Sequence, residues 1–400
     1  MQQKSLSIYI HYPFCKSKCP YCDFNSHVKD GVDHERFLQG YLRELDFFAA
    51  KMDARKIKTI FFGGGTPSLM PIFLVEKILE KISQLWQMDE DCEITLEANP
   101  TSFEAEKFKE FRKIGINRLS LGIQALNDAD LKFLGREHSA SEAIETIKTA
   151  SKIFDNFSFD LIYARPKQSL EAWKTELEMA ISFGTKHLSL YQLTIEKGTK
   201  FFSQHQRGEF VMPSEELSAQ FYEMTNKITK DNGFELYEIS NYAKKSYQCL
   251  HNLVYWQGGD YLGIGAGAHS RIYLDENFSA NSRRAIMMIH EPMAWLKKVE
   301  ETGAGIQVDE KIASDELLEE LILMGLRLKD GINEEIFQSH FGKKLSEIFD
   351  FEKMRILENQ GFIEIKEGSI KIPDKSRLLT NAIISKLVNL LLVKPEDFSN

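Results

Sequence analysis

The chain of 400 residues is poor in cysteine, in long apolar runs and in excess basic charge, and each deficiency excludes a class of protein. Five cysteines are too few for a disulfide framework and suit a reducing compartment, so we expect a cytoplasmic protein. No run of about eighteen apolar residues occurs and the first residues carry no signal-peptide core, so we expect no transmembrane segment. The formal charge of −9, from 50 basic and 59 acidic residues, argues against nucleic acid as a partner.

Three of the five cysteines, Cys15, Cys19 and Cys22, stand in a C-x3-C-x2-C pattern directly after a predicted strand. Three thiolates on one short loop can bind three irons of a 4Fe–4S cluster and leave the fourth iron open to a small molecule. A structural zinc site with His27 or His11 as the fourth ligand is the alternative. Zinc sites usually draw paired ligands from two separated loops, and no second pair stands at such spacing here. The spacing therefore favours the cluster and leaves zinc open.

Short apolar runs alternate with helix-period segments through the first half of the chain. The predicted strands are residues 6–10, 58–62, 93–96, 118–122, 156–162 and 187–191. The predicted helices are residues 34–51, 71–85, 103–114, 141–154, 170–183 and 214–231. Regular alternation of this kind implies parallel strands joined by right-handed crossovers. We therefore predict an α/β fold with an incomplete parallel (β/α)6 barrel, although an open doubly wound sheet would give a similar pattern.

The pattern changes in the second half of the chain. We predict a barrel over residues 1–235, a glycine- and aromatic-rich extension over 236–305 and a small C-terminal module over 306–400. The last of these contains short helices and then two short strands around a Glu-Gly turn at 367–368, which resembles the wing of a winged-helix module. Because the chain is acidic, we expect this module to have a structural or partner-docking role.

Glycine and polar residues recur where the predicted strands end, which is where barrel proteins place their chemistry. Each has a simple structural explanation when taken alone, such as a tight turn for the glycines or a solvated surface for the glutamate. An aspartate inside an apolar strand is different, because it needs a partner. These residues are Gly64, Gly65 and Thr66 after the second strand, Glu97 at the third, Gln124 at the fourth with Arg136 beyond it, and Asp160 in the fifth.

The cysteine loop, the Gly-Gly-Gly-Thr-Pro turn at 63–67 and the ordered polar residues resemble those of radical S-adenosylmethionine proteins. More narrowly, nearly the whole chain resembles the oxygen-independent coproporphyrinogen III oxidase family and the related HemW heme chaperones. The resemblance implies that the three cysteines bind a 4Fe–4S cluster whose open iron binds S-adenosylmethionine. It also implies contacts to that cofactor from Tyr9, Gly64, Gly65, Thr66, Glu97, Gln124, Arg136 and Asp160.

Two features favour the heme-chaperone branch over the oxidases. The oxidases carry a fourth cysteine two residues after the third, whereas this chain has Phe24, in the Cys-Asp-Phe that the chaperones share. The chain also matches their His-Asn-x-x-Tyr-Trp motif at 251–256, in which His251 is the candidate heme ligand. Without the resemblance, a core Tyr-Trp pair beside a hydrogen-bonded histidine would be the simpler explanation.

The resemblance thus implies a heme chaperone with three cofactors, a 4Fe–4S cluster, S-adenosylmethionine and heme, and no catalytic residue is assigned. Its partners would be heme and recipient hemoproteins; membrane-associated respiratory recipients, a homodimer and productive cleavage of S-adenosylmethionine are left open. The alternatives are an oxygen-independent coproporphyrinogen III oxidase and a zinc-stabilised interaction protein.

One further stretch departs from the family pattern. Family members often show Tyr-Gly-Leu-Pro after the fifth strand, where this chain has Tyr-Ala-Arg-Pro at 163–166. The alanine predicts that the backbone at Ala164 does not need a positive φ. Arg165 is predicted to be a surface arginine, with contact to a propionate as the alternative.

Overall fold

The computed structural model describes residues 5–274, 282–366 and 368–392. Within these residues, a twelve-stranded sheet forms the body of the protein and a three-stranded sheet lies in the C-terminal part. The strands are β1 (Ser5–Tyr12), β2 (Phe14–Cys15), β3 (His27–Val28), β4 (Lys56–Gly64), β5 (Gln87–Ala98), β6 (Arg118–Gln124), β7 (Asn156–Tyr163), β8 (His187–Gln192), β9 (Glu235–Leu236), β10 (Asn241–Ala243), β11 (Tyr261–Ile264), β12 (His269–Tyr273), β13 (Arg283–Met288), β14 (Ile306–Lys311), β15 (Ile332–Asn333), β16 (Glu364–Lys366) and β17 (Ser369–Lys371).

The helices lie between and after these strands. They are α1 (His34–Ala49), α2 (Ile72–Leu85), α3 (Ser102–Ala105), α4 (Phe108–Lys113), α5 (Asp128–Phe133), α6 (Ala140–Ile153), α7 (Leu170–Ser182), α8 (Lys200–Gln206), α9 (Glu215–Asp231), α10 (Leu250–Trp256), α11 (Pro292–Thr302), α12 (Ser314–Gly325), α13 (Glu334–Phe341), α14 (Leu345–Ile348), α15 (Phe351–Asn359) and α16 (Thr380–Val388). The predicted helix over 103–114 is wrong as one element, since the chain forms the two short helices α3 and α4 there.

The centre of the large sheet is parallel, in the order β11-β1-β4-β5-β6-β7-β8. Antiparallel strands extend it at both edges, with β10 and β9 beside β8 and with β12, β13 and β14 beside β11. Among the described residues, the strand order does not close on itself. The prediction of a mostly parallel α/β fold is confirmed, and all six predicted strands occur. The seventh parallel strand, β11, was not predicted.

Helices pack against the sheet through apolar faces that repeat every three or four residues. In α1, which Asp33 caps by accepting a hydrogen bond from the N–H of Arg36, the buried face contains Phe37, Tyr41 and Leu45. One continuous apolar core runs from Leu6 to Ala304, so the glycine- and aromatic-rich extension shares the core of the barrel.

A second apolar core begins at Ile312 and ends at Leu387. In this C-terminal part, β16 and β17 form an antiparallel hairpin, with β15 paired to β17. Glu367, in the predicted turn, lies outside the described residues. The winged-helix class and the three domain boundaries stay predictions. None of the helices that the structure describes has the length and apolar character needed to cross a membrane.

Candidate cluster and cofactor site

The cysteine loop joins β2 to β3, two short strands that pair in parallel. Asn25 fixes the end of this loop, because its Nδ2 donates to the carbonyl oxygens of Ala266 and His290 at 3.0 Å each. A Cβ at Gly267 would stand only 2.1 Å from that Nδ2, so this position requires glycine. The glycine-rich turn at 263–270 therefore holds the cysteine loop in place.

The two histidines named as alternative zinc ligands both contact Asn25. Nε2 of His11 lies 2.9 Å from the backbone oxygen of Asn25, and Nε2 of His27 lies 3.0 Å from its Oδ1. Burial lowers the pKa of His11 to about 4, so its imidazole is neutral. Within the described residues, no group of three or more His, Cys, Asp or Glu side chains is placed to hold a single metal ion.

Hydrogen-bond donors point at the sulfurs of Cys15 and Cys19. Oγ1 of Thr66 donates to Sγ of Cys15 at 3.5 Å, and Nη1 of Arg136 donates to Sγ of Cys19 at 3.3 Å. Burial raises the pKa of the thiols of Cys15 and Cys22, whereas a metal-bound thiol is deprotonated. Donors aimed at sulfur stabilise the negative charge of a thiolate that binds iron. The donor set therefore fits an iron–sulfur cluster.

A cavity of about 670 Å³ opens beside this loop at the carboxyl ends of the parallel strands. All three cysteines line it. Seven of the eight residues that were predicted to contact S-adenosylmethionine also line it: Gly64, Gly65, Thr66, Glu97, Gln124, Arg136 and Asp160. The structure thus brings these residues together in a space within the usual size range of ligand pockets.

The glycine turn packs against the backbone that precedes Cys15. A Cβ at Gly64 would lie 2.6 Å from Cε1 of His11, and one at Gly65 would lie 2.6 Å from the carbonyl oxygen of Phe14. The N–H of Thr66 donates to the same carbonyl at 2.9 Å. Glycine is required here because the end of β4 approaches the start of the cysteine loop so closely.

Glu97 and Asp160 place two half-buried carboxyl groups in the cavity wall. Burial, and then the charge of Asp160, raises the pKa of Glu97 to about 8, while the N–H of Gly64 donates to its Oε2 at 3.2 Å. Burial raises the pKa of Asp160 to about 6, opposed by a hydrogen bond from Ser189. Both pKa values are raised, and the charge of Asp160 opposes ionisation of Glu97, so a proton shared by this pair is favoured on Glu97.

Tyr9 is the predicted contact that does not line the large cavity. It lines a second cavity of about 350 Å³ inside the barrel, which shares Glu97 and Asp160 with the large cavity. Its hydroxyl lies 3.0 Å from Nδ1 of His11, and its ring stacks on Phe61 at 6.2 Å. The role of Tyr9 as a cofactor contact stays a prediction.

His251 also lies at the inner cavity, in α10, and is buried. Its Nδ1 lies 2.7 Å from the hydroxyl of Thr59 and its Nε2 lies 2.8 Å from the hydroxyl of Tyr255. Because the Thr59 hydroxyl donates its proton to Ser7, we assign the imidazole proton to Nδ1 and the free electron pair to Nε2, where Tyr255 donates. Burial lowers the pKa of His251 to about 3, so the ring is neutral. In this arrangement, both ring nitrogens have hydrogen-bond partners.

Both expectations for the Tyr-Ala-Arg-Pro stretch were wrong. Ala164 has a φ of +54°, because the chain turns sharply where β7 ends. Arg165 is buried, and its Nη2 pairs with Glu176 at 2.5 Å and with Asp130 at 2.9 Å. The turn at Ala164 directs the guanidinium inward, towards carboxylates on α7 and α5.

Sequence reasoning missed Asn99, which also lines the large cavity. Its Oδ1 accepts from Nη2 of Arg136 at 2.6 Å, and its Nδ2 donates to Oγ1 of Thr66 at 3.1 Å. Its position two residues after Glu97, at the same strand end, was the indication available in the sequence.

Known proteins resemble this chain in sequence and in fold. The Radical SAM superfamily model matches residues 9–180, and the HemN C-terminal domain model matches residues 312–379. A curated relative from Bos taurus, radical S-adenosyl methionine domain-containing protein 1, mitochondrial, is 34% identical over 389 residues, which cover 96% of this chain and 88% of that protein.

Two bacterial relatives are named heme chaperone HemW. That of Escherichia coli (strain K12) is 43% identical over 269 residues, 67% of this chain and 70% of that protein. That of Bacillus subtilis (strain 168) is 31% identical over 387 residues, 96% of this chain and 100% of that protein. A solved structure of coproporphyrinogen III oxidase (HemN) from Escherichia coli shares the fold, with a TM-score of 0.77 at 21% identity over 96% of this chain and 90% of that chain.

The matched regions include the cysteine loop, the end of β1, the strands β4, β5, β6 and β7 and most of the second apolar core. Identities of 34% and 31%, each over 96% of the chain, therefore show that it belongs to the radical S-adenosylmethionine superfamily, in the branch that contains the proteins named heme chaperone HemW.

Proposed function

We propose that this protein is a heme chaperone, which binds heme beside a 4Fe–4S cluster with S-adenosylmethionine and delivers the heme to hemoproteins. The observation that carries the proposal is the match to two proteins named heme chaperone HemW. One is 43% identical to this chain, and the other, at 31% identity, is matched along its full length. The likeness to the oxidase structure, at 21% identity, concerns the fold alone.

The mouth of the large cavity supports binding of a flat apolar ligand. Phe24, Tyr191 and Ile239 line this cavity and are 60%, 40% and 44% exposed. Large apolar side chains that stay exposed beside a pocket mark a binding surface, and aromatic rings pack well on a planar macrocycle. Phe24 stands where the oxidases carry a fourth cysteine, so this position offers the macrocycle a ring.

The residues of the cavity wall have separate tasks in this proposal. Cys15, Cys19 and Cys22 bind the cluster, which with S-adenosylmethionine bound supplies one-electron chemistry at its open iron. With the proton on Glu97, this carboxyl donates and that of Asp160 accepts, so the pair would orient a polar ligand that carries both kinds of group. Gln124 and Arg136 complete the polar side of the same wall.

His251, within the His-Asn-x-x-Tyr-Trp motif, is the proposed iron ligand; it lines the inner cavity and not the large one, so heme bound there is the alternative to heme at the mouth. Iron would bind at Nε2, which holds the free electron pair, so the hydroxyl of Tyr255 would have to move away first. We further propose that the chaperone acts in the cytoplasm, as a monomer or as a homodimer. Its recipients would include membrane-associated respiratory hemoproteins.

The experiment that tests the function measures heme transfer. The full chain, reconstituted anaerobically with iron, sulfide and S-adenosylmethionine, is loaded with one equivalent of heme and mixed with an apo b-type cytochrome. We expect a Soret band for the complex and transfer faster than from heme bound to serum albumin. A chain that forms no Soret complex, or transfers no faster than albumin, would contradict the proposal.

A matched pair of variants tests the cavity mouth. Phe24→Ala removes an exposed ring at the mouth, and loss of this ring should weaken heme binding about tenfold, corresponding to about 1.4 kcal/mol of apolar contact. Phe73→Ala removes a ring that is 41% exposed on α2, away from the cavity, and should leave the affinity unchanged.

A further inference from the structure

A continuous chain of hydrogen bonds joins two of the cysteines through Asn99. Oγ1 of Thr66 donates to Sγ of Cys15 at 3.5 Å, and Nδ2 of Asn99 donates to that Oγ1 at 3.1 Å. On the other side, Nη2 of Arg136 donates to Oδ1 of Asn99 at 2.6 Å, and Nη1 of the same guanidinium donates to Sγ of Cys19 at 3.3 Å.

The chemistry of the partners fixes the direction of every hydrogen bond in this chain. A guanidinium only donates, so the oxygen of the Asn99 amide faces Arg136 and its nitrogen faces Thr66. A hydroxyl has one proton, and because the Thr66 oxygen accepts from Asn99, that proton is left for the sulfur of Cys15. Asn99 thereby directs a donor to each of the two sulfurs.

The backbone around Asn99 keeps the amide in place. Its N–H donates to Oε2 of Glu104 at 2.9 Å, and Glu104 also accepts from the hydroxyl of Ser68. Nη2 of Arg136 is held further by the carbonyl oxygen of Gly122 at 2.9 Å. The amide is therefore fixed between its two partners.

We propose that Asn99 is a positioning residue that raises the reduction potential of the cluster by directing Thr66 at Cys15 and Arg136 at Cys19. The inference rests on the cluster of the proposed function. When an external one-electron reductant reduces the cluster, one electron is added, no bond to the cysteines breaks, and negative charge on the sulfurs increases. Donors to those sulfurs stabilise the reduced form more than the oxidised form, which raises the potential.

The test is a redox titration of the reconstituted full chain with dithionite and mediators, followed by electron paramagnetic resonance and carried out without S-adenosylmethionine. Asn99→Asp replaces the amide donor with a carboxylate, which takes the Thr66 proton away from Cys15 and adds negative charge. We expect a lower midpoint potential with unchanged iron content. A tenfold change in the redox equilibrium corresponds to about 59 mV for this one-electron couple.

Three further variants separate this role from a general effect. Thr66→Val removes the donor to Cys15 and should also lower the potential, whereas Thr66→Ser keeps the hydroxyl and should restore it. Asn333→Asp adds the same charge at the exposed N-cap of α13, where aspartate caps as well as asparagine, and should leave the potential unchanged.

The outcomes distinguish this inference from the proposed function. If Asn99→Asp and Thr66→Val both have full iron content and the wild-type potential, the role of Asn99 is overturned and the proposed function is not affected. If Asn99→Asp assembles no cluster, Thr66→Val decides the question, since the same hydrogen bond to Cys15 is lost. A wild-type chain that assembles no 4Fe–4S cluster overturns both the inference and the proposed function.

Discussion

Nε2 of His251 lies 2.8 Å from the hydroxyl of Tyr255, in the interior of the barrel. This hydrogen bond occupies the electron pair that a heme iron would need, so the two compete. Tyr255→Phe removes the competitor, and we expect heme to bind up to about tenfold more tightly, the worth of one hydrogen bond. A heme titration followed at the Soret band measures the affinity. Tyr247→Phe, at a hydroxyl that accepts from Lys186, is the matched control and should change nothing.

His251→Ala completes this comparison. If His251 binds the iron, the Soret maximum shifts and the affinity falls in the alanine variant. Equal spectra and equal affinities in His251→Ala and in the wild-type chain would exclude His251 as the ligand and leave it as a buried structural residue.

The raised pKa of Glu97 predicts a pH-dependent stability. Its pKa rises from an ordinary value of 4.5 to about 8 because of burial and the charge of Asp160. Between pH 4.5 and about 8, the folded chain therefore holds a proton on Glu97 that the unfolded chain has released. The contribution of this proton to the free energy of unfolding is complete below pH 4.5 and is lost as the pH rises through about 8. Glu97→Gln does not titrate, so its free energy of unfolding should fall less between pH 5 and pH 9, by about 1–2 kcal/mol at a carboxyl that faces a cavity.

Urea unfolding at both pH values, without added metal or cofactor, gives these free energies. Glu90→Gln, at an exposed glutamate on the same strand, is the control and should follow the wild-type pH dependence. A Glu97→Gln variant that loses as much stability as the wild type between the two pH values would show that Glu97 titrates normally.

The positive φ of Ala164 predicts a stabilising substitution. A side chain in the left-handed region costs about 1–2 kcal/mol, which glycine avoids, whereas the greater freedom of glycine in the unfolded chain offsets part of the gain. Ala164→Gly should raise the free energy of unfolding by up to about 1 kcal/mol, measured by urea denaturation. Ala219→Gly, in the second turn of α9, should lower it by about 1 kcal/mol. If Ala164→Gly lowers the free energy of unfolding as much as Ala219→Gly does, the backbone at Ala164 is not strained.

The cysteine loop predicts a spectroscopic signature. Anaerobically reconstituted protein should show broad absorption in the blue and a reducible 4Fe–4S signal, which is lost when Cys15, Cys19 and Cys22 are replaced by alanine. Replacement of Cys92 and Cys249, which are buried away from the loop, should leave the signal intact. Stoichiometric zinc in a colourless native protein would favour the structural zinc site instead.

Much of the parallel sheet could be predicted from sequence, because strands buried on both faces show as apolar runs separated by amphipathic helices. The strand β11 was missed because Tyr-Leu-Gly-Ile is short and is recognised only through its pairing with β1. The split between α3 and α4 was missed as well, since helix boundaries depend on contacts such as that between Lys107 and the carbonyl of Ser68.

Most residues of the cavity wall could be predicted, because functional residues of such folds stand at the carboxyl ends of the parallel strands. Sequence could not show that Nε2 of His251 accepts from Tyr255, because the two partners meet only when α10 packs against the barrel. The inward turn at Ala164 was hidden for a related reason, since the buried pair of Arg165 and Glu176 supplies the interaction that holds an unfavourable backbone.

As a heme chaperone, this chain should deliver heme and should not make porphyrin. An anaerobic assay with coproporphyrinogen III, reductant and S-adenosylmethionine, with the products resolved by chromatography, distinguishes the two activities. We expect no protoporphyrinogen from a chain whose cluster is fully assembled and which binds heme. Robust formation of protoporphyrinogen by that same preparation would contradict this expectation.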